Sequence, residues 1–238
     1  MCNTPQWLIR LLILPCLLIA PFAAAADTAP QVPEQLIIAI QSTYQRLHSL
    51  QCSFVQFTSA DGRIKEGRGQ ATFYRTKQTG NKPGGIMRWN YEQPTPQVIL
   101  NNGRELSIYT PQDRQLLITP VGEMDSDITY ALFTGSKRLD EEFILSPPDP
   151  LFQMNTPPKD LQGMLLTPRQ PHQQIKRIQI WLDKRHILNS LLLEDHFGVL
   201  TELNFSQMRL NTLPADDATQ EQQMLFLNTP PGTEIIHQ

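Results

Sequence analysis

The stretch from Met87 to Thr119, MRWNYEQPTPQVILNNGRELSIYTPQDRQLLIT, constrains this chain more than any other. It reads as three short strands on tight turns. In the first, Met87, Trp89 and Tyr91 fall on one face and Arg88 and Asn90 on the other, the period-two signature of a half-buried strand. Gln93-Pro94-Thr95-Pro96 ends it, because proline has no N–H for a ladder and restricts the residue before it. Val98-Ile99-Leu100 follows, then Asn101-Asn102-Gly103, a hairpin turn whose residues accept positive φ at little cost. Leu106, Ile108 and Thr110 share one face of the next strand, and Ser107 and Tyr109 the other. A turn at Thr110-Pro111-Gln112-Asp113 returns the chain into Gln115-Leu116-Leu117-Ile118. The product is an antiparallel meander with one apolar, aromatic-rich face.

From Pro33 to Leu50 the pattern is helical instead. Leu36, Ile37, Ile40, Tyr44, Leu47 and Leu50 make one apolar stripe, with Glu34 at the positive end of the helix dipole and Arg46 and His48 at the negative end. Such a stripe needs a surface to lie on, and a curved sheet is the obvious one. Ser53 to Phe57, a turn at Ser59 to Arg63, and Gly67 to Arg75 predict a hairpin. Thr76 to Gly85 is a polar, glycine-rich loop. Asp127 can cap a short helix through Ile128, Leu132 and Phe133, with Gly135 ending it, and a further helical turn fits Lys137 to Glu142. Prolines make Ser146 to Pro158 a loop. The remainder predicts strands at Leu161 to Thr167, Ile175 to Asp183, Leu188 to Glu194, Val199 to Met208 and Met224 to Asn228.

Residues 1–26 have the form of a secretory signal peptide: Arg10, an apolar run from Leu11 to Phe22, and Ala24-Ala25-Ala26 before Asp27. The expected mature chain, 27–238, is then a single exported domain. Ile13-Leu14-Pro15 lacks the small residues that would precede a lipidated Cys16. Without Arg10 the chain has 19 basic and 23 acidic residues, a net charge of −4, which gives no electrostatic case for nucleic acid. Cys2 and Cys16 leave with the leader, so Cys52 has no intramolecular partner, and its place on an apolar strand suits a buried, inert thiol.

Four segments resemble the LolA family, the periplasmic carriers of outer-membrane lipoproteins. Ser49-Leu50-Gln51-Cys52-Ser53-Phe54-Val55-Gln56 is similar to the family's S-F-x-A-S-F-x-Q. Glu66-Gly67-Arg68-Gly69 is similar to its E-G-x-G. Arg88-Trp89 through Pro94, with the Asn102-Gly103-Arg104 turn and Tyr109-Thr110-Pro111, resembles its RW-x-Y-x-x-P meander. Phe226 to Ile236 resembles its F-x-x-x-P-P-x-G-x-x-V ending, with one fewer residue before Gly232. The resemblance implies a mainly β fold with a few helices: an incomplete antiparallel β-barrel, or half-barrel, with an α-helical lid over an apolar cavity.

The resemblance also assigns parts. Met87, Trp89, Tyr91, Phe73, Tyr109, Leu106 and Ile108 become candidates for the acyl-chain cavity, although periodicity alone leaves core packing and ligand lining open. Leu36, Ile40 and Tyr44, and Ile128, Leu132 and Phe133, would belong to lid helices. The family's lid is held by an arginine. The matching position here is Lys82, ahead of Pro83 and after an inserted loop, with Arg75 as the alternative; lysine lacks the planar five-donor fork. Implied partners are diacylated or triacylated lipoproteins, an inner-membrane lipoprotein-releasing ABC transporter and an outer-membrane lipoprotein receptor, served by a monomer with no cofactor.

The residues themselves point away from familiar catalysis. No G-x-S-x-G, H-E-x-x-H, P-loop or G-x-G-x-x-G is present, and His48, His172, His186, His196 and His237 form no metal-like pair. Glu141-Glu142 and Asp216-Asp217 are sequence neighbours that point apart and read as solvated charge. Two other readings stay open: a lipid-sensing regulatory or binding module on the same half-barrel, and a secreted esterase on a β scaffold.

Overall fold

The computed structural model describes residues 34–76, 84–121, 128–134, 138–156 and 158–238. The expected leader, Lys82, the Asp127 cap and the Gly135 stop lie outside the described residues. In chain order the elements are α1 (Glu34–Gln45), β1 (Ser49–Ala60), β2 (Arg63–Tyr74), β3 (Ile86–Gln93), β4 (Gln97–Asn101), β5 (Glu105–Thr110) and β6 (Gln115–Pro120). Then come α2 (Ile128–Thr134), α3 (Leu139–Glu142), β7 (Phe143–Ser146), β8 (Gln162–Pro168), β9 (Arg177–Leu182), β10 (Leu188–Glu194), β11 (Leu200–Leu210), α4 (Ala218–Leu225) and β12 (Glu234–His237).

The twelve strands of the described residues lie in one open sheet, ordered β12-β6-β5-β4-β3-β2-β1-β11-β10-β9-β8-β7. The central hairpin is long and in unbroken register, from Ser49 opposite Tyr74 to Ala60 opposite Arg63. Its turn is made by Asp61 and Gly62, both at positive φ, which matches the right-handed twist of the strands it joins. The Met87 to Thr119 stretch forms four strands, β3 to β6, so the returning segment is a full member of the ladder. Every neighbouring pair is antiparallel except β12, which runs parallel to β6 at the sheet edge.

The apolar stripe of α1 is buried as the spacing predicts, with Leu36, Ile37, Ile40 and Tyr44 inside. The helix stops at Gln45, however, and Leu50 belongs to β1. Leu47 and Leu50 still join the same core, so the burial pattern runs on while the backbone changes from helix to strand. That core gathers Leu36, Ile40, Tyr44, Leu132, Phe133 and Leu139 from the helices against one face of the sheet, here called the inner face.

The expected strand at Met224 to Asn228 is not formed. Met224 sits in the last turn of α4, which Asp217 caps by accepting from the backbone N–H of Thr219 at 2.7 Å and of Gln220 at 3.1 Å. Met224 buries against Tyr74, Ile86 and Leu100 on the outer face. A run this short fits one helical turn as well as a strand, and a cap and a sheet face decided for the helix. The C-terminal strand is Glu234–His237 instead. Strand β7, ahead of the proline-rich loop, is also additional to the sequence reading.

That loop covers the outer face of β8 to β10, burying Phe152 with Trp181 and Leu192. Polar bonds hold it. The Gln179 side chain accepts from Asp149 N at 2.6 Å and donates to the Phe152 carbonyl at 2.7 Å. Arg177 pairs with Asp149 and Glu194 and stacks over the Phe152 ring, 3.9 Å from its centroid. Lys176 completes the group, 2.6 Å from Glu194.

Candidate functional site

Directly opposed residues of an antiparallel ladder share a face. One inner row therefore runs Cys52, Ala71, Trp89, Ile99, Ile108 and Leu117 across five neighbouring pairs. A second runs Leu50, Phe73, Met87, Asn101 and Leu106. Six of the seven cavity candidates thus share the helix-covered face. Met87 and Phe73 are 1% exposed under the helices, and Trp89 packs edge-on against Phe54 with ring centroids 5.0 Å apart. Tyr91, Leu106 and Ile108 are half-buried.

Tyr109 is the exception and a correction. It pairs with Val98, which pairs with Asn90, on the row that ends in the outward Gln70 and Ser53. Its ring is buried, but on the outer face. Ser107 and Tyr109 alternate against Leu106 and Ile108, so the two sets could not both line one cavity.

The helices carry an aromatic stack onto the sheet. Tyr44 of α1 meets Phe133 of α2 edge-on at 5.1 Å, and Phe133 stacks on Phe73 at 5.3 Å and 19°. The Tyr44 hydroxyl accepts from Leu188 N at 2.8 Å, and burial raises its pKa above the ordinary tyrosine value. Leu36 and Ile40 of α1 and Leu132 of α2 are buried beside this stack, whereas the Ile128 side chain lies outside the description. Thr129 bonds the Met87 sulfur at 3.5 Å, and the Tyr130 hydroxyl donates to the Gly85 carbonyl at 3.2 Å.

Arg75 joins both helices. Its Nε donates to the Leu47 carbonyl at 2.8 Å and Nη2 to the Tyr44 carbonyl at 3.1 Å, both at the end of α1. Nη1 donates to the Thr134 carbonyl at 3.1 Å and Nη2 to the Phe133 carbonyl at 2.9 Å, at the end of α2. The last carbonyls of a helix have no intrahelical partner and lie at the negative end of its dipole, so one guanidinium satisfies two helix ends at once. The cation also lies 5.6 Å from the centroid of the Phe73 ring, and burial lowers its pKa below the ordinary arginine value. No side-chain pattern in the sequence could reveal these partners, because all four are backbone oxygens.

Cys52 is 4% exposed on the same inner face, and burial pushes its thiol up to about 12. Among the described residues no group of three or more His, Cys, Asp or Glu side chains could hold a metal ion. Among them, too, no helix is long and apolar enough to cross a membrane. The arrangement is an apolar core under two helices whose ends are fastened by polar bonds.

A family model described as outer membrane lipoprotein carrier protein LolA matches residues 45–220. The chain is 27% identical over 237 residues to an outer-membrane lipoprotein carrier protein of Cupriavidus taiwanensis, covering 96% of this chain and 99% of that one. It is 29% identical over 239 residues to a protein of the same name from Cupriavidus pinatubonensis, again covering 96% and 99%. Among solved structures it is similar in fold to an uncharacterized conserved protein from Thermus thermophilus. There the TM-score is 0.51 at 11% identity, over 86% of this chain and 98% of the other.

Proposed function

The chain belongs to the LolA family, and from that premise we propose that it is a periplasmic carrier shielding the acyl chains of lipoproteins between the inner and outer membranes. In this reading residues 1–26 are removed on export and 27–238 act as one non-enzymatic domain. An inner-membrane lipoprotein-releasing ABC transporter loads it, and an outer-membrane receptor unloads it.

The supporting observation is the Arg75 fastening over an apolar inner face. Each buried acyl CH₂ contributes about 0.8 kcal/mol, so a few whole chains could bind too tightly to be released. A carrier must therefore return part of that gain, and opening a packed lid on loading does so. Hydrogen bonds from a charged donor are worth roughly 1.5–3 kcal/mol each, which sets a latch that a loading partner can break. Arg75 is the latch, Met87, Trp89, Phe73, Tyr91, Leu106 and Ile108 line the space that opens, and α1 and α2 are its roof.

Mass spectrometry of the protein isolated from periplasm tests the reading. Diacylated or triacylated lipopeptides should co-purify, enriched in an Arg75→Leu variant that accepts cargo and hands it on poorly. Recovery of hydrolysed acyl esters from added substrates would instead favour an esterase.

A further inference from the structure

Three segments that stand out in the sequence, Ser53 to Gln56, Glu66 to Gly69 and Arg88 to Pro94, meet at one place on the inner face. It lies at the end of the sheet away from Arg75. Gln56 and Thr58 continue the inward series Leu50, Cys52 and Phe54 along β1. Gly67 opposes Gln56 and Gly69 opposes Phe54 on β2, and Tyr91 opposes Gly69 on β3. The Tyr91 ring lies over Gly67 of β2, where a Cβ would stand in ordinary contact, 3.6 Å from its Cε1 atom. Phe54 holds the ring from the side, edge-on at 4.8 Å.

That placement brings the Tyr91 hydroxyl to Gln56, donating to Oε1 at 2.7 Å, and Gln56 Nε2 donates onward to Thr58 Oγ1 at 3.1 Å. The bonds run in one direction, and each polarises the next. Their outward ends are donors, the second amide hydrogen of Gln56 and the hydroxyl hydrogen of Thr58. Thr201 of β11 opposes Thr58 on the same face and adds another hydroxyl. All of these residues are half-buried, whereas Leu50 and Phe54 further along β1 are 1% exposed.

A line of donors at the edge of an apolar floor suits a ligand that is apolar along its length and carries acceptors at one end. Resting on the carrier reading above, we propose that Gln56, Thr58 and Thr201 form a rim that binds the ester carbonyls at the head of the acyl chains. The chain methyl ends then point toward Met87 and the Arg75 end. Tyr91 is a positioning residue that holds the Gln56 amide in orientation.

The test compares a synthetic diacyl lipopeptide with ester linkages, its ether-linked counterpart lacking those carbonyls, and an ester phospholipid of the same chain length. Gln56→Leu and Thr58→Val should each weaken binding of the ester lipopeptide by about threefold to tenfold, the size expected for one net hydrogen bond, and leave the ether counterpart unchanged. An equal loss for the phospholipid assigns the rim to ester carbonyls in general, and a loss confined to the ester lipopeptide shows that the lipopeptide head must also be seated for its esters to reach the rim. Thr58→Val, at a half-buried strand end, decides if Gln56→Leu disturbs folding. Equal losses for ester and ether lipids, or no loss for either, would overturn the rim. A wild-type protein that binds none of the three lipids would instead overturn the carrier reading itself.

Discussion

Tyr74 and Arg75 are consecutive residues that hold opposite faces of the sheet. The Tyr74 hydroxyl donates to the Pro214 carbonyl at 2.9 Å and accepts from Asp217 N at 3.0 Å, seating the start of α4 on the outer face. Arg75 fastens α1 and α2 on the inner face. Alternation along an extended chain makes this possible with no intervening residue. The segment leaving β11 is also tied to the exit of α1, since Asn211 Oδ1 accepts from His48 N at 2.9 Å and Leu213 N donates to Ser49 Oγ at 3.2 Å.

Replacing Arg75 by leucine removes four hydrogen bonds and should loosen the roof without unfolding the chain. Cys52 reports it, because the thiol is buried in the same core and is the only cysteine of the expected mature chain. Its labelling by a thiol reagent should quicken about tenfold for each 1.4 kcal/mol lost from the closed state. Lys82→Leu should label at the wild-type rate. Fast labelling in the lysine variant and slow labelling in the arginine variant would transfer the latch to Lys82.

Acid should act through the outer-face loop. Burial pushes the Glu194 carboxyl up, but hydrogen bonds from Lys176 and Arg177, with their charges, outweigh it and hold it below the ordinary 4.5. A carboxylate with a depressed folded pKa adds stability that is present above 4.5 and is lost as pH falls through the folded value. Thermal unfolding followed from pH 6 down to about pH 3 should show Tm falling below pH 4.5 in the wild type. The decline should be shallower in Glu194→Gln, which starts lower. Parallel curves would place the acid-sensitive group elsewhere.

Gly69→Ala should be costly for want of space. A Cβ there would stand 2.0 Å from the Asn90 carbonyl oxygen, a backbone atom that cannot swing aside. Overpacking of this kind costs about 1–3 kcal/mol. At Gly67 the nearest atom is 3.4 Å away, so Gly67→Ala should be milder. Chemical denaturation of the two variants compares them, and equal midpoints would contradict the ranking.

The two tryptophans of the expected mature chain stand on opposite faces. Trp89 lies in the inner core against Phe54 and Phe205, and Trp181 lies outside with Phe152 and Leu192. Added acylated cargo should shift Trp89 fluorescence and leave Trp181 unmoved. A response that persists in Trp89→Phe would return Trp89 to ordinary core.

Much of this was legible in the residues. The period-two faces of β3 and β5 and the stripe of α1 were sufficient because apolar residues recur along each element at the period of its backbone. In β9 the alternation is blurred, since the proline-rich loop buries Trp181 on the outer face while Ile178, Ile180 and Leu182 fill the inner core. Aromatic character alone puts Tyr109 on the wrong side, against its own alternation. Around Met224 the apolar run is too short to show a period, so it fits strand and helix alike. The clustering of Gln56, Gly67 and Tyr91 comes from three strands, so only the ladder registers reveal it.

Gly103 shows how a turn can answer to two demands. Its φ of +80° closes the β4–β5 hairpin, and a Cβ there would stand 2.4 Å from the Tyr130 hydroxyl of α2. The hairpin is therefore also a doorstop, fixing how far down α2 can settle. Surface turns usually tolerate added residues, but lengthening this one would raise the resting height of the roof. On the carrier reading proposed above, how readily α1 and α2 open is then tuned partly by a turn outside the Arg75 contacts.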